Sequence, residues 1–154
     1  MIFHSLKKAK NKIDYQYDTY DEYKKSLSKS NHETLPYIMP TKIIAVGLNY
    51  HDHAEEMKKK PPKEPMIFLK SPSSLTSFNS TIFLPNHMSS KIDFEGELGI
   101  IIKKEAKWVE IKEAHKYILG GTCVNDVTAR DLQAIDIQFG RGKNFDTFCP
   151  VGPF

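Results

Sequence analysis

From residue 42 onward the chain sets short apolar, β-branched runs between clusters of Pro, Ser and Asn, the pattern of strands separated by turns. Strands are predicted at "KIIAVGLNY" (42–50, ending in a Gly-containing turn), "MIFLK" (66–70), "TIFL" (81–84), "IDFEGELGIII" (92–102) and "LGGTCVN" (119–125). After the first of these, Asp52 and Glu55 stand in capping-box spacing, the pairs Glu55–Lys59 and Glu56–Lys60 are favourable at i,i+4, and Pro61–Pro62 stops the helix. Such a helix is barely two turns long and depends on packing or a ligand to persist. "VEIKEAHKYI" places Ile111, Ala114, His115 and Ile118 on one helical stripe, and "TARDLQ" (128–133) reads as a capped helical turn. Residues 1–41 are more polar and tyrosine-rich, with a short helix expected over 19–29, and "PYIMP" (36–40) reads as a linker. The fold class is α+β, with short strands predominating.

Length and composition narrow the class further. At 154 residues the chain fits one domain, and 40% hydrophobic with 27% charged residues is ordinary for a globular protein. The net charge is +3, and only Arg130 and Arg141 among the 22 basic residues are arginine, so the planar fork that reads bases and phosphates is scarce and no nucleic-acid partner is expected. The mixed lysines and tyrosines of 7–25 are diluted by Asp14, Asp18, Asp21 and Glu22. Cys123 and Cys149 form neither a Cys-x-x-Cys motif nor a disulfide framework, which fits a reducing, cytoplasmic compartment. No run approaches the roughly 18 apolar residues of a membrane helix, so no membrane partner is expected.

The chemistry concentrates in "IDFEGELGIII". Side chains at i and i+2 of a strand share a face with Cα atoms about 6.6 Å apart, so Glu95 and Glu97 project together, with Gly96 leaving the space between them open. The alternation also allows a plainer reading, in which Phe94, Leu98, Ile100 and Ile102 face the core while Asp93, Glu95 and Glu97 face water. Asp126, at the end of another apolar strand, adds a third carboxylate. Three such groups offer the hard oxygen donors that suit Mg²⁺, Mn²⁺ or Ca²⁺, and no Cys/His set of zinc spacing competes. His53 and Glu56 are i,i+3 on the short helix and could form an acid–base pair, an arrangement that a Glu- and Lys-rich helix also produces by chance.

The segments "KIIAVGLNYHDHAEEM", "PMIFLKSPSSL", "IDFEGELGIIIKK", "YILGGTCVNDVTARDLQ" and "RGKNFDTFCPVGP", in this order, resemble the fumarylacetoacetate hydrolase family, of the acylpyruvate hydrolase and 2-hydroxyhepta-2,4-diene-1,7-dioate isomerase type, over residues 42–154. The resemblance implies a mixed β-sandwich roll with short flanking helices, forming a catalytic domain over 42–154 behind an N-terminal extension of 1–41. It implies a Mg²⁺ or Mn²⁺ held by Glu95, Glu97 and Asp126, with Asp93 left as a bystander. It further implies a water-activating dyad of His53 and Glu56 on a mobile lid, Lys143 stabilising an oxyanion, and Lys70, Arg130 and Gln133 lining the substrate pocket. The implied activity is hydrolysis of a carbon–carbon bond in a 2-oxo or 1,3-diketo acid, with decarboxylation, hydration or isomerisation of similar acids as the alternative. Members of the family are usually dimers. The sequence lacks the family's later strands and glycine-rich "TGTP"-like loop, so the roll is expected to be incomplete at the C-terminus. A homodimer, or an assembly with a chain supplying those strands, is the expected partner beside a small oxo-acid substrate. The rival to a working enzyme is a catalytically impaired metal-binding or interaction module on the same scaffold.

Overall fold

Alternation along Lys42–Gly47 buries Ile43 and Ala45 and leaves Ile44 and Val46 half-covered, a period of two that only an extended chain can satisfy. In the computed structural model, which describes residues 2–4 and 38–153, this segment is strand β2, preceded by β1 (Ile2–His4). Helix α1 (His51–Glu56) follows, then β3 (Met66–Lys70), a 3₁₀ turn at Pro72–Ser74, β4 (Leu75–Ser77), β5 (Ile92–Asp93) and β6 (Gly96–Ile102). A 3₁₀ helix at Ile111–Tyr117 leads into β7 (Ile118–Asn125), β8 (Thr128–Ala129), helix α2 (Arg130–Ile135) and β9 (Cys149–Val151). The expected helix over 19–29 lies outside the described residues.

Seven of these strands form one mixed sheet in the order β3-β2-β1-β6-β7-β9-β4, and β5 pairs with β8 in a separate two-stranded ribbon. The segment read as an N-terminal extension therefore contributes β1 to the sheet, antiparallel to β2 and parallel to β6. The longest ladder is β6–β7, antiparallel from Gly96↔Asn125 to Ile102↔Ile118 with a register shift after Ile101. One apolar cluster fills a single face of this sheet, with Ile38, Ile43, Ala45, Ile101, Val124, Cys149 and Val151 buried and Phe68 and Leu75 packed against them. A second cluster, of Val127, Ala129, Leu132 and Phe148, holds α2 and the ribbon, with Ile82, Ile92 and Phe145 at its margin. Phe145 and Phe148 meet edge-on at 5.3 Å. No helix among the described residues is long and apolar enough to cross a membrane.

Several local expectations change. Residues 81–84 are not a strand. Pro85 ends the run, Ile82 turns into the second cluster, and Phe83 uses its backbone N–H on Thr147 Oγ1 at 2.9 Å. Helix α1 starts one residue before Asp52, with Tyr50 at the cap position and no side-chain cap, so the capping box does not form. Helix α2 likewise starts after Ala129 without a side-chain cap. The stripe Ile111–Ile118 gives a 3₁₀ helix with no buried residue, Ile111 being 95% exposed, and Ile118 already belongs to β7. The run 92–102 breaks at Phe94 and Glu95 into two strands of different sheets.

Gly142 shows how tightly the segment after α2 is packed. Its N–H neighbour Lys143 enters the site, its carbonyl accepts from Ala129 N at 2.7 Å, and a Cβ there would stand 2.8 Å from Gln133 N and 3.1 Å from Ala129 O. These neighbours are backbone and cannot swing aside. Gly142→Ala is expected to lower unfolding stability by about 1–3 kcal/mol, read from the urea midpoint; an unchanged midpoint would contradict the close approach.

Candidate active site

The β6–β7 ladder fixes the site. Its first pair, Gly96↔Asn125, sets Glu95 beside Asp126, and two further bonds lock them: Asp126 N donates to Glu95 O at 2.8 Å and Glu95 N donates to Asn125 Oδ1 at 3.1 Å. In β6 the residues that share Glu97's parity, Gly99 and Ile101, are buried, whereas Phe94 and Leu98 are 81% and 58% exposed. The acids thus stand at the end of the core face, and the apolar residues between them face outward, the reverse of the plainer reading. Glu95, Glu97 and Asp126 line one cavity of about 1040 Å³ together with His53, Glu56, Asp93, Arg130, Gln133 and Lys143.

Asp126 is the buried centre. Lys143 Nζ donates to Asp126 Oδ2 (2.7 Å), Glu95 Oε2 (2.7 Å) and Thr128 Oγ1 (2.9 Å), matching its three N–H groups with three acceptors. Lys70 Nζ lies 2.7 Å from Asp126 Oδ1 and donates to the carbonyl of Lys143. Both lysines are buried, and each meets an acid there. Lys70, expected on the pocket wall, stands behind Asp126 with a fully buried side chain.

Arg130 opens helix α2 and reaches back to the strand break. Its Nε donates to Asp93 Oδ2 at 2.8 Å, and its Nη1 to Glu95 Oε1 at 2.5 Å and Gln133 Oε1 at 3.1 Å. Burial works against this charge, but Asp93 and Glu95 more than offset it and raise the guanidinium's pKa. Asp93 is therefore a partner of the site rather than a bystander. Its spacing to Glu95 was visible in the sequence, and the break that turns it toward Arg130 was not. On α1, His53 Nδ1 and Glu56 Oε2 are 3.9 Å apart, too long for a hydrogen bond, with Glu56 82% exposed. Cys149 offers no nucleophile, since burial pushes its thiol up to about 12.

Glu97 has no ion-pair partner among the described residues. Burial first, then the charges of Asp126 and Glu95, raise its pKa above the ordinary value, with Lys143 opposing. That half-buried carboxylate suits a divalent cation, whereas both oxygens of Asp126 are met by lysines, Oδ1 by Lys70 and Oδ2 by Lys143. The donor chemistry fits, but no three His, Cys, Asp or Glu side chains among the described residues stand at metal-ligand spacing. Both oxygens of Glu95 are held by Lys143 and Arg130, so loading requires Glu95 to turn.

The conserved-domain description "Fumarylacetoacetate (FAA) hydrolase C-terminal" matches residues 42–154. The chain belongs to the fumarylacetoacetate hydrolase family. An uncharacterized protein of Archaeoglobus fulgidus is 46% identical over 142 residues, covering 92% of this chain and 56% of the relative. The oxaloacetate tautomerase YisK of Bacillus subtilis is 42% identical over 121 residues, covering 77% of this chain and 40% of the relative. The crystal structure of 5-carboxymethyl-2-hydroxymuconate delta-isomerase from Mycobacterium smegmatis superposes with a TM-score of 0.69 at 45% identity, over 79% of this chain and 48% of that one. The chain spans about half the length of the curated relatives it matches. The α+β fold with its mixed sheet and short helices is the family's.

Two outcomes follow from the charges. Asp126→Ala leaves two buried ammonium groups without their shared partner and is expected to cost about 3–5 kcal/mol in chemical denaturation. For Glu97, a raised folded pKa means that the folded state keeps its proton after the unfolded state has lost it, so stability falls as pH rises from the ordinary value of 4.5 through the folded value. In chelator-treated protein, Glu97→Gln is expected to melt above wild type at pH 7 and level with it at about pH 4. A difference that does not change with pH would contradict this.

Proposed function

We propose that this chain carries the acid–base and metal-ligating residues of an enzyme that moves a proton beside the carbonyl of a 2-oxo acid of the oxaloacetate type. What supports the reading most is the meeting, in one cavity, of three acids, a buried ammonium, an arginine with a glutamine, and a histidine–glutamate pair. The name of the Bacillus subtilis relative points to the same chemistry.

Glu95, Glu97 and Asp126 would hold a divalent cation, Mg²⁺ or Mn²⁺, which when bound offers Lewis-acid stabilisation of charge on the oxo-acid oxygens. Arg130 and Gln133, beside Glu95, present N–H donors to a second carboxylate of the substrate. His53, oriented by Glu56, accepts the proton that leaves the enol hydroxyl or C3 and returns it to the other position, so no atom is gained or lost. Lys143 offsets negative charge on the carbonyl oxygen during the transfer. Helix α1, with one buried residue, carries His53 at the cavity and is lightly enough packed to serve as a lid.

Hydrolysis of an acylpyruvate is the second reading, favoured by the same pair, because a histidine backed by a carboxylate also deprotonates water. The test follows enol absorbance of oxaloacetate and acid release from acylpyruvates with Mg²⁺ present. Accelerated loss of enol without acid release supports the tautomerase, and acid release supports the hydrolase. His53→Gln is expected to lower kcat by about 10²- to 10⁴-fold, and Glu95→Gln to remove Mg²⁺-dependent turnover. Metal binding without turnover of either substrate would contradict both and leave the non-catalytic module.

A further inference from the structure

Helix α1 poses a problem of support. It has six residues, buries only Ala54 and has no side-chain cap, whereas isolated helices shorter than about 12–15 residues are marginal in water. The chain enters it through a sharp redirection. Gly47 ends β2, Leu48 takes a left-handed φ of 51°, and Tyr50 is extended at the cap position. The Tyr50 carbonyl accepts from Ala54 N at 3.1 Å and closes the first turn. Its phenol does not cap the helix. It crosses to β6, where the Tyr50 hydroxyl accepts from the Leu98 N–H at 3.0 Å.

Leu98 directly follows Glu97, and β1 pairs further along β6, at Ile100–Ile102. The Tyr50 contact therefore ties the first residue before the helix to the end of the strand that carries the acids, and Tyr50, His53 and Glu97 line the same cavity. We propose that Tyr50 is a positioning residue whose hydroxyl, bonded to the Leu98 backbone, fixes helix α1 against β6 and so sets His53 opposite Glu97. The inference rests on the acid–base role given to His53 above. It extends that role to a residue whose hydroxyl bonds the backbone of β6 rather than another side chain of the site.

Tyr50→Phe keeps the ring and removes only the bond. Amide exchange over residues 51–59, which include the bonds Ala54 N to Tyr50 O, Met57 N to His53 O and Lys59 N to Ala54 O, is expected to accelerate roughly 2- to 12-fold, the population change that one net hydrogen bond supplies. Exchange in the β6–β7 ladder is expected to stay unchanged. Unchanged exchange over 51–59, or equal acceleration in the ladder, overturns the proposal. With oxaloacetate and Mg²⁺, kcat is expected to fall by a similar factor with KM constant, and an unchanged kcat beside faster exchange also overturns the positioning role. The exchange arm needs no turnover, so a wild-type chain inactive on oxaloacetate would count against the proposed reaction alone, while the exchange result still decides Tyr50.

Discussion

Everything in the site depends on one buried carboxylate. Asp126 sits between Lys70 and Lys143, all three removed from water, and it is the one acid that meets both of them. The pairing reaches across the fold. Lys70 ends β3, Asp126 follows β7, and Lys143 lies between α2 and β9, so the contact joins an outer strand to the centre of the sheet and to the segment that closes it. Through Lys143 the same charge orders Glu95, and through Glu95 it orders Arg130 and Asp93. Such an arrangement costs desolvation free energy, and hydrophobic residues of equal volume could serve stability as well. Its retention is understandable as the means of holding several charges in one cavity.

The sheet has two unlike faces. One carries the apolar cluster and, at its end, the acids. The other leaves Ile67, Leu69 and Leu98 open, although alternation would bury them in a sheet covered on both sides. In a chain that spans about half the length of its relatives, the described residues show a site-bearing face supported from within and an outer face that supports nothing shown here. The geometry of the cavity accordingly follows from the ladder between β6 and β7 and from the buried charges. The outer face adds nothing to it.

How far the sequence could be read varies with the range of the interaction concerned. The strands at 42–47, 66–70 and 118–125 follow from local β-branched runs, and Glu95, Glu97 and Asp126 share a cavity as their strand positions suggest. Which face of β6 is buried was not legible, because both parities are apolar after Glu97 and only the neighbouring strands decide between them. Capping at Asp52 failed for a similar reason, since Tyr50 is drawn to β6 and takes the cap position. Lys70, which the resemblance places on the wall of the substrate pocket, is instead buried against Asp126, 56 positions further along. Asp93 and Thr128 acquire their roles only when the strand break and the β8 turn bring them to Arg130 and Lys143. Long-range partners of charged residues leave no periodic trace.

The reading proposed for the site is that Glu95, Glu97 and Asp126 on this cavity wall would together hold one cation, organised by Asp126. Its most direct test is the melting temperature of chelator-treated wild type and Asp126→Asn as MnCl₂ is added. A bound ligand stabilises the folded state by about 2.7 kcal/mol at 100 times its Kd, so the wild type is expected to show a saturating rise that Asp126→Asn lacks. An equal rise in both proteins, or none in the wild type, would contradict the account.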